Sequence, residues 1–137
     1  MTMRGILYAF MLLIGLIAAP MAAADPGRNP IEGSWKSGNL VIHIAPCGGG
    51  EYCGTIIGAS ETQKAKALRG SGTKLIGAKL IHSIRPVGPN KYKGKVFAAD
   101  RNITAGGTIT QPDHDNLIVK GCVVGIFCKS RAWRRVD

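Results

Sequence analysis

Aromatic and acidic residues are both scarce in this chain of 137 residues. Phe, Trp and Tyr together make up 6% of it. Proteins that bind single-stranded nucleic acid stack its bases on aromatic side chains set among basic ones, so a nucleic-acid partner is not expected. Only 8 residues are Asp or Glu, and most of them lie in turn-like segments. Because acid–base catalysis needs a positioned proton donor or acceptor, we expect no enzymatic activity.

Sequence motifs for cofactors, metals and nucleophiles are also absent. The chain has no phosphate loop, no dinucleotide-binding fingerprint and no G-x-S-x-G motif. Its three histidines, His43, His82 and His114, are scattered, and no C-x2-C spacing typical of zinc sites occurs. We therefore expect no cofactor, no metal site and no catalytic residue.

The N-terminal segment has the features of a secretory leader. Arg4 provides a positive start, residues 6–19 are mainly apolar, and three consecutive alanines follow before Asp25. We predict a signal peptide over residues 1–24 and one domain over residues 25–137. No later run reaches the roughly 18 apolar residues of a membrane-spanning helix. We expect no transmembrane segment in the mature chain and a periplasmic or secreted location.

The four cysteines form two pairs with the same spacing. Cys47 and Cys53 enclose a glycine-rich turn, and Cys122 and Cys128 likewise have five residues between them. An even number of cysteines in an exported chain favours disulfides. Four cysteines allow three connectivities, which spacing does not distinguish. Among these we favour two local bridges, 47–53 and 122–128.

Short segments of alternating polarity, separated by turn residues, indicate an all-β fold. Leu40, Ile42 and Ile44, for example, share one face of a predicted strand. Such segments predict strands over residues 33–36, 40–45, 52–57, 79–84, 92–97, 103–110, 117–122 and 128–136. About eight antiparallel strands indicate a single barrel or sandwich, and an up-and-down order is the simplest. The longest connection, residues 59–78, is polar and predicts one or two helical turns.

The interior of such a barrel is either packed with side chains or able to hold one small ligand. Eight apolar residues are candidates for the inward face: Leu40, Ile42, Ile44, Ile56, Ile81, Val96, Ile109 and Val119. They suit a packed core as well as they suit the wall of a cavity, so the pattern leaves both possibilities open.

Basic residues give the chain a formal net charge of +10. Lys64, Lys66, Arg69 and Lys74 cluster in the long connection. With Trp133 they are candidate contacts for a ligand or an anion. Such a surface attracts anionic lipids or polysaccharides, whereas the alternative is a solvated basic face without a partner.

Several short motifs follow one another in a fixed order along the predicted domain. They are Gly33-Ser34-Trp35, Val41-Ile42-His43-Ile44-Ala45-Pro46-Cys47, Cys53-Gly54-Thr55-Ile56-Ile57, Leu68-Arg69-Gly70, Leu75-Ile76-Gly77, Gly121-Cys122-Val123 and Ala132-Trp133-Arg134-Arg135-Val136. The ordered set resembles a family of small exported bacterial proteins of unknown function with a lipocalin-like barrel. The resemblance implies a secreted or periplasmic lipocalin-like barrel and no particular reaction.

The resemblance also implies a structural role for the Gly-x-Trp motif. In lipocalin-like barrels the tryptophan of the first strand plugs one end, and an arginine near the last strand packs on its ring. Gly33 and Trp35 match the motif, and Arg131 or Arg134 is the expected arginine. A cation–π contact of this kind contributes about 0.5–2 kcal/mol.

Two hypotheses of function follow from the sequence. The first is an exported lipocalin-like protein that binds a small apolar or amphiphilic ligand in the cell envelope. The alternative is a non-enzymatic interaction module whose basic surface contacts anionic envelope or host components. A cavity inside the barrel favours the first, and binding that weakens steeply with added salt favours the second.

Overall fold

The fold is a closed antiparallel β-barrel in a computed structural model that describes residue 15, residues 27–123 and residues 127–137. The described strands follow one another around the barrel in chain order. They are β1 (Gly33–Ser37), β2 (Leu40–Gly48), β3 (Glu51–Gly58), β4 (Lys79–Gly88), β5 (Lys91–Ala98), β6 (Ile103–Asp113), β7 (Asn116–Val123) and β8 (Phe127–Arg135). The up-and-down barrel is confirmed, and the sandwich is excluded. Apart from Gly15, the predicted signal peptide lies outside the described residues.

Closure of the barrel depends on the pairing of its first and last strands. β1 pairs antiparallel with β8, with Trp35 opposite Arg135 and Lys36 opposite Arg134. This pairing leaves the first and last strands without an open sheet edge. Trp35 and Arg135, a hundred positions apart in the chain, are therefore adjacent at the end of the barrel that is sealed.

The alternation predicted for β2 is present in the structure. Leu40, Ile42 and Ile44 are buried, while Val41 and His43 between them are only half-buried. Since successive side chains of a strand face opposite sides, the three apolar residues point into the barrel. The hydrophobic core therefore lies inside the barrel, as the sequence pattern predicts.

Three strands continue past their predicted ends because bulges accommodate their prolines. β2 extends to Gly48, β4 to Gly88 and β6 to Asp113, beyond the predicted ends at residues 45, 84 and 110. The strand register shifts beside Pro46 in β2, beside Pro86 in β4 and before Asp113 in β6. Proline lacks the N–H that a regular ladder needs, but an irregular position tolerates it.

The long connection contains a helix, α1 (Glu61–Ser71), that is longer than predicted. The Ser60 hydroxyl accepts a hydrogen bond from the Gln63 backbone N–H, and the Gln63 side chain accepts one from the Ser60 N–H. This capping box satisfies free amides of the first turn. Gly72 ends the helix in the left-handed conformation, with φ of 69°. With both ends capped, the helix extends over 11 residues, whereas the sequence predicted only one or two turns.

Both predicted disulfides are confirmed. Cys47–Cys53 links β2 to β3 with the Cα atoms 5.7 Å apart, and Cys122–Cys128 links β7 to β8 with a Cα separation of 4.0 Å. Each bond crosslinks a hairpin across neighbouring strands, and the two bonds leave no cysteine free in the described part of the chain.

None of the helices among the described residues has the length and apolarity to cross a bilayer.

Candidate functional site

One end of the barrel is sealed by the segment that precedes β1. This closed end carries the β2–β3, β4–β5 and β6–β7 turns. Ile31 is fully buried there, and its carbonyl accepts a hydrogen bond of 2.9 Å from Trp35 Nε1. Trp35 is itself fully buried. Ile31 and Trp35 together fill this end, so Trp35 lies where the plug was predicted.

Arg135 fixes this plug in place. Its guanidinium lies over the Trp35 ring, 4.3 Å from the ring centroid. It also donates hydrogen bonds to three backbone carbonyls, those of Pro30 (2.7 Å), Glu32 (2.9 Å) and His114 (2.9 Å). The side chain is only 10% exposed, and its hydrogen bond to the Glu32 carbonyl is part-buried, whereas those to Pro30 and His114 lie at the surface. One side chain thus joins the N-terminal segment, β8 and the β6–β7 turn.

The prediction that Arg131 or Arg134 packs on Trp35 is wrong. Arg134 precedes the inward-facing Arg135 and is exposed, because successive side chains of a strand alternate between its two faces. Arg131 shares the inward face but lies nearer the other end of β8, with its guanidinium 6.0 Å from the Trp133 ring. Arg135 shares the inward face with both residues and lies nearest the closed end, where the β1–β8 pairing sets it opposite Trp35.

Gly33 provides the space that the arginine occupies. Its φ is 135°, a conformation that residues with a side chain rarely adopt. A Cβ atom at this position would collide with Arg135 Nη1 and would lie 2.8 Å from Asp137 Oδ2. The glycine and the tryptophan of the Gly-x-Trp motif therefore both accommodate the Arg135 guanidinium: the glycine leaves space for it, and the tryptophan ring stacks against it.

Two more side chains bind the sealing segment from within the barrel. The Tyr92 hydroxyl donates to Asn29 Oδ1 at 2.8 Å, and Gln111 Nε2 donates to the Pro30 carbonyl at 3.0 Å. Burial raises the pKa of the Tyr92 hydroxyl above its ordinary value, which keeps it protonated and able to donate. Neither residue was predicted from the sequence, because hydrogen bonds between distant strands leave no local pattern.

The opposite end of the barrel opens into a cavity of about 660 Å³. This open end carries the β1–β2 and β5–β6 turns and α1. Its volume falls within the roughly 300–1,000 Å³ typical of small-molecule sites. Five of the predicted inward residues line it: Leu40, Ile56, Ile81, Val96 and Val119. The other three, Ile42, Ile44 and Ile109, are fully buried and do not line it. The interior is therefore packed toward the closed end and hollow toward the open end.

Trp133 belongs to the cavity wall. It is 3% exposed and lines the cavity from β8. Its indole Nε1 is buried and has no hydrogen-bond partner within the described ranges. Of the five candidate ligand contacts predicted from the sequence, Trp133 is one of the two that reach the cavity.

Helix α1 is seated on the rim of the open end. Ala67 is buried and lines the cavity. At the end of the helix the Ser71 hydroxyl donates to the Ala99 carbonyl at 2.6 Å. Gly70 lies so close to the Asp100 carbonyl that a Cβ atom would collide with it. The helix is thus attached to the β5–β6 turn and covers part of the cavity mouth.

The other candidate contacts do not form one cluster. Lys66 lines the cavity from α1. Lys64 and Lys74 instead flank a groove of about 210 Å³ on the outside of the helix, whose apolar lining is Leu68, Leu75 and Ile76. Arg69 is exposed and lines neither space. The basic surface of the long connection is therefore divided between the cavity mouth and an outer groove.

The cavity mouth carries more positive than negative charge. Lys66, Arg101, Lys129 and Arg131 line it together with a single carboxylate, that of Asp100. Arg101 and Lys129 are not among the site residues predicted from the sequence. For Lys129 the signal was present, because it shares the inward face of β8 with Trp133.

Within the described part of the chain no three His, Cys, Asp or Glu side chains come together in a group that could hold a metal ion. The three histidines lie apart from one another. His43 in β2 hydrogen-bonds with the Ser34 hydroxyl (3.0 Å between Nδ1 and Oγ), His82 lies in β4, and His114 lies in the β6–β7 turn.

Comparison with known proteins identifies the family. The model of a family described as an uncharacterized protein conserved in bacteria (DUF2147) matches residues 32–135. The chain belongs to this family. The matched region runs from just before β1 to the end of β8 and so contains the entire barrel. No match was found among curated protein sequences.

This member of the DUF2147 family has a lipocalin-like fold. Its structure is similar to that of protein HP1028 from Helicobacter pylori, a protein described as belonging to the lipocalin family, with a TM-score of 0.60. The two are 16% identical, and the match covers 77% of this chain and 82% of that chain. At this identity the likeness concerns the fold alone, and it confirms the lipocalin-like barrel.

Proposed function

We propose that the protein is an exported, non-enzymatic carrier that binds a small apolar or amphiphilic molecule inside its barrel. The cavity at the open end is the observation that carries the proposal. Its apolar walls would remove alkyl surface from water, which contributes about 25 cal/mol for each Å² buried. Ile31 and Trp35 seal the other end, so a ligand would enter at the open end, beside α1.

The disulfides support the export part of the proposal. Cys47–Cys53 and Cys122–Cys128 are bonded in the structure. Disulfides persist in the periplasm and outside the cell and are rare in a reducing cytosol. The signal peptide predicted over residues 1–24 agrees with this location.

Filling the cavity with a larger side chain is the direct test of the proposed carrier function. Ala105 lines the cavity from β6, whereas Thr104 beside it is exposed on the outer face. We expect wild-type protein to bind the neutral apolar dye Nile red, with increased fluorescence. Ala105→Trp is expected to weaken dye binding at least about tenfold, because the indole occupies the space that the dye needs.

Thr104→Trp is the matched control for this experiment. It adds the same side chain to the same strand but on the outer face, and we expect dye binding to remain at the wild-type level. Unfolding curves should show that both variants are folded. Equal loss of binding in both variants, or no dye binding by the wild-type protein, would contradict a ligand site inside the barrel.

The outer groove supports a second candidate function, docking on an anionic lipid surface. Leu68 is 57% exposed and Ile76 38% exposed, between Lys64 and Lys74. Exposed apolar side chains flanked by lysines suit the boundary between anionic headgroups and acyl chains. Each lysine near such a surface contributes about 1 kcal/mol.

Co-sedimentation with lipid vesicles tests this second function. We expect the protein to bind vesicles of phosphatidylglycerol and phosphatidylcholine, and not vesicles of phosphatidylcholine alone. Leu68→Ser should reduce binding, whereas Ile118→Ser, which changes an exposed isoleucine on β7, should not. Binding that is insensitive to salt, or equal in both variants, would reject the groove as a lipid contact.

A further inference from the structure

The last strand turns two cations toward the interior of the barrel. Lys129, Arg131 and Trp133 occupy alternate positions of β8, and all three line the cavity. Alternate residues of a strand share one face, so the two basic side chains lie on the same inward face as the buried indole. Elsewhere the strand residues lining the cavity are mainly aliphatic. Both basic side chains are exposed, so they lie at the mouth of the cavity and not in the packed core.

Two further cations approach the same space from other elements. Lys66 extends from α1, and Arg101 extends from the β5–β6 turn. Arg101 has a nearby carboxylate, since its Nε lies 3.9 Å from Asp100 Oδ2. In the part of the chain that the structure describes, no carboxylate lies within ion-pair distance of Lys66, Lys129 or Arg131. Positive charge thus remains without a protein counter-charge at the mouth.

Along the cavity, the positive charges lie near the entrance and the apolar surface lies farther inside. A strand rises about 3.3 Å per residue, which places Arg131 about 7 Å and Lys129 about 13 Å along β8 from Trp133, toward the open end. Leu40 and Ile56 line the same cavity and are buried although their strand positions are near the open end, whereas Lys129 and Arg131 are exposed. The cavity therefore has an apolar interior and a cationic entrance.

We propose that the cavity binds a single-chain amphiphile with an anionic oxygen head group. The alkyl chain lies against Trp133 and the aliphatic walls, and the carboxylate or phosphate head lies at the entrance between Lys66, Lys129 and Arg131. This inference depends on the proposed carrier function and adds the charge of the ligand to it. Hydrogen bonds between charged partners are stronger than those between neutral groups, so the head group sets the preference among ligands with equal chains.

Displacement of Nile red by ligands with one chain and different heads tests the inference. The ligands are decanoate, decyl phosphate, decanol and decyltrimethylammonium. We expect decanoate and decyl phosphate to displace the dye at concentrations about tenfold lower than decanol does, which is a factor that one charge-assisted contact supplies. Decyltrimethylammonium should be the weakest, because the entrance repels it. Whichever anion is stronger identifies the preferred head group.

Paired charge variants locate the effect. Lys129→Gln/Arg131→Gln removes two cations from the inward face, whereas Lys120→Gln/Arg134→Gln removes the same charges from exposed positions on β7 and β8. The inward variant should lose the preference for anions and keep its affinity for decanol. The outward variant should keep both, because its lost charges lie outside the cavity and are screened by salt.

Failure of this inference and failure of the carrier function give different results. If decanol displaces the dye as well as decanoate does, the anionic head group is wrong and the apolar ligand site remains. If no dye and no ligand binds, the carrier function itself is wrong. A preference for decanoate that persists in the inward variant would overturn the role of β8.

Discussion

Replacing Arg135 with alanine is expected to lower the free energy of unfolding by about 3–4 kcal/mol. The substitution removes the donors to three backbone carbonyls and the cation over the Trp35 ring. Of the three, the bond to the Glu32 carbonyl is part-buried, and a carbonyl that loses its partner while shielded from water is costly. Urea denaturation followed by tryptophan fluorescence measures the change, and Trp35 itself reports on the closed end.

The neighbouring arginine is the control for this prediction. Arg134 is exposed and faces away from the barrel interior, so Arg134→Ala should change stability by no more than about 0.5 kcal/mol. Arg135→Lys should recover only part of the loss, because an ammonium lacks the planar fork and the ring stacking of a guanidinium. Similar stabilities for the two alanine variants would show that Arg135 does not secure the closed end.

Sequence patterns predicted the barrel well because its determinants are local. In β2 the alternation of Leu40, Ile42 and Ile44 with less buried residues marks the strand by itself. Turn residues mark where each strand reverses. The strand ends were less accurate, since Pro86 suggested a turn where a bulge carries β4 onward to Gly88. Bulges depend on the partner strand and leave little trace in one segment.

The features of the two barrel ends were harder to predict because they depend on register. The sequence places several arginines near the C-terminus, and only the β1–β8 pairing shows that Arg135 meets Trp35. Likewise Ile44 and Ile56 are equivalent as inward isoleucines, yet one is packed in the core and the other lines the cavity. Whether an inward residue meets another side chain or empty space is decided by all eight strands together.

Helix α1 controls the shape of the cavity entrance, and Gly70 determines how it is seated. By intrinsic propensity, alanine is more favourable than glycine within a helix by about 1 kcal/mol. In this protein a Cβ atom would collide with the Asp100 carbonyl. Carbonyl groups of a turn cannot move aside as a flexible side chain can. We expect Gly70→Ala to destabilise the protein by about 1–3 kcal/mol, as overpacking does, despite its favourable propensity.

The sign of the effect distinguishes tertiary packing from helix propensity. Gly106→Ala is the control, because Gly106 is exposed and nothing lies within 4 Å of the added Cβ, so it should leave stability unchanged or raise it by up to about 1 kcal/mol. Displacement of α1 should also break the Ser71 hydrogen bond to Ala99. Amide exchange in α1 should therefore accelerate in Gly70→Ala before the barrel unfolds, while the β2 amides stay protected. A stabilised Gly70→Ala variant with unchanged exchange would show that the helix is not attached to the β5–β6 turn. Helix α1 would then be able to move farther at the cavity entrance than the contacts of Gly70 and Ser71 allow.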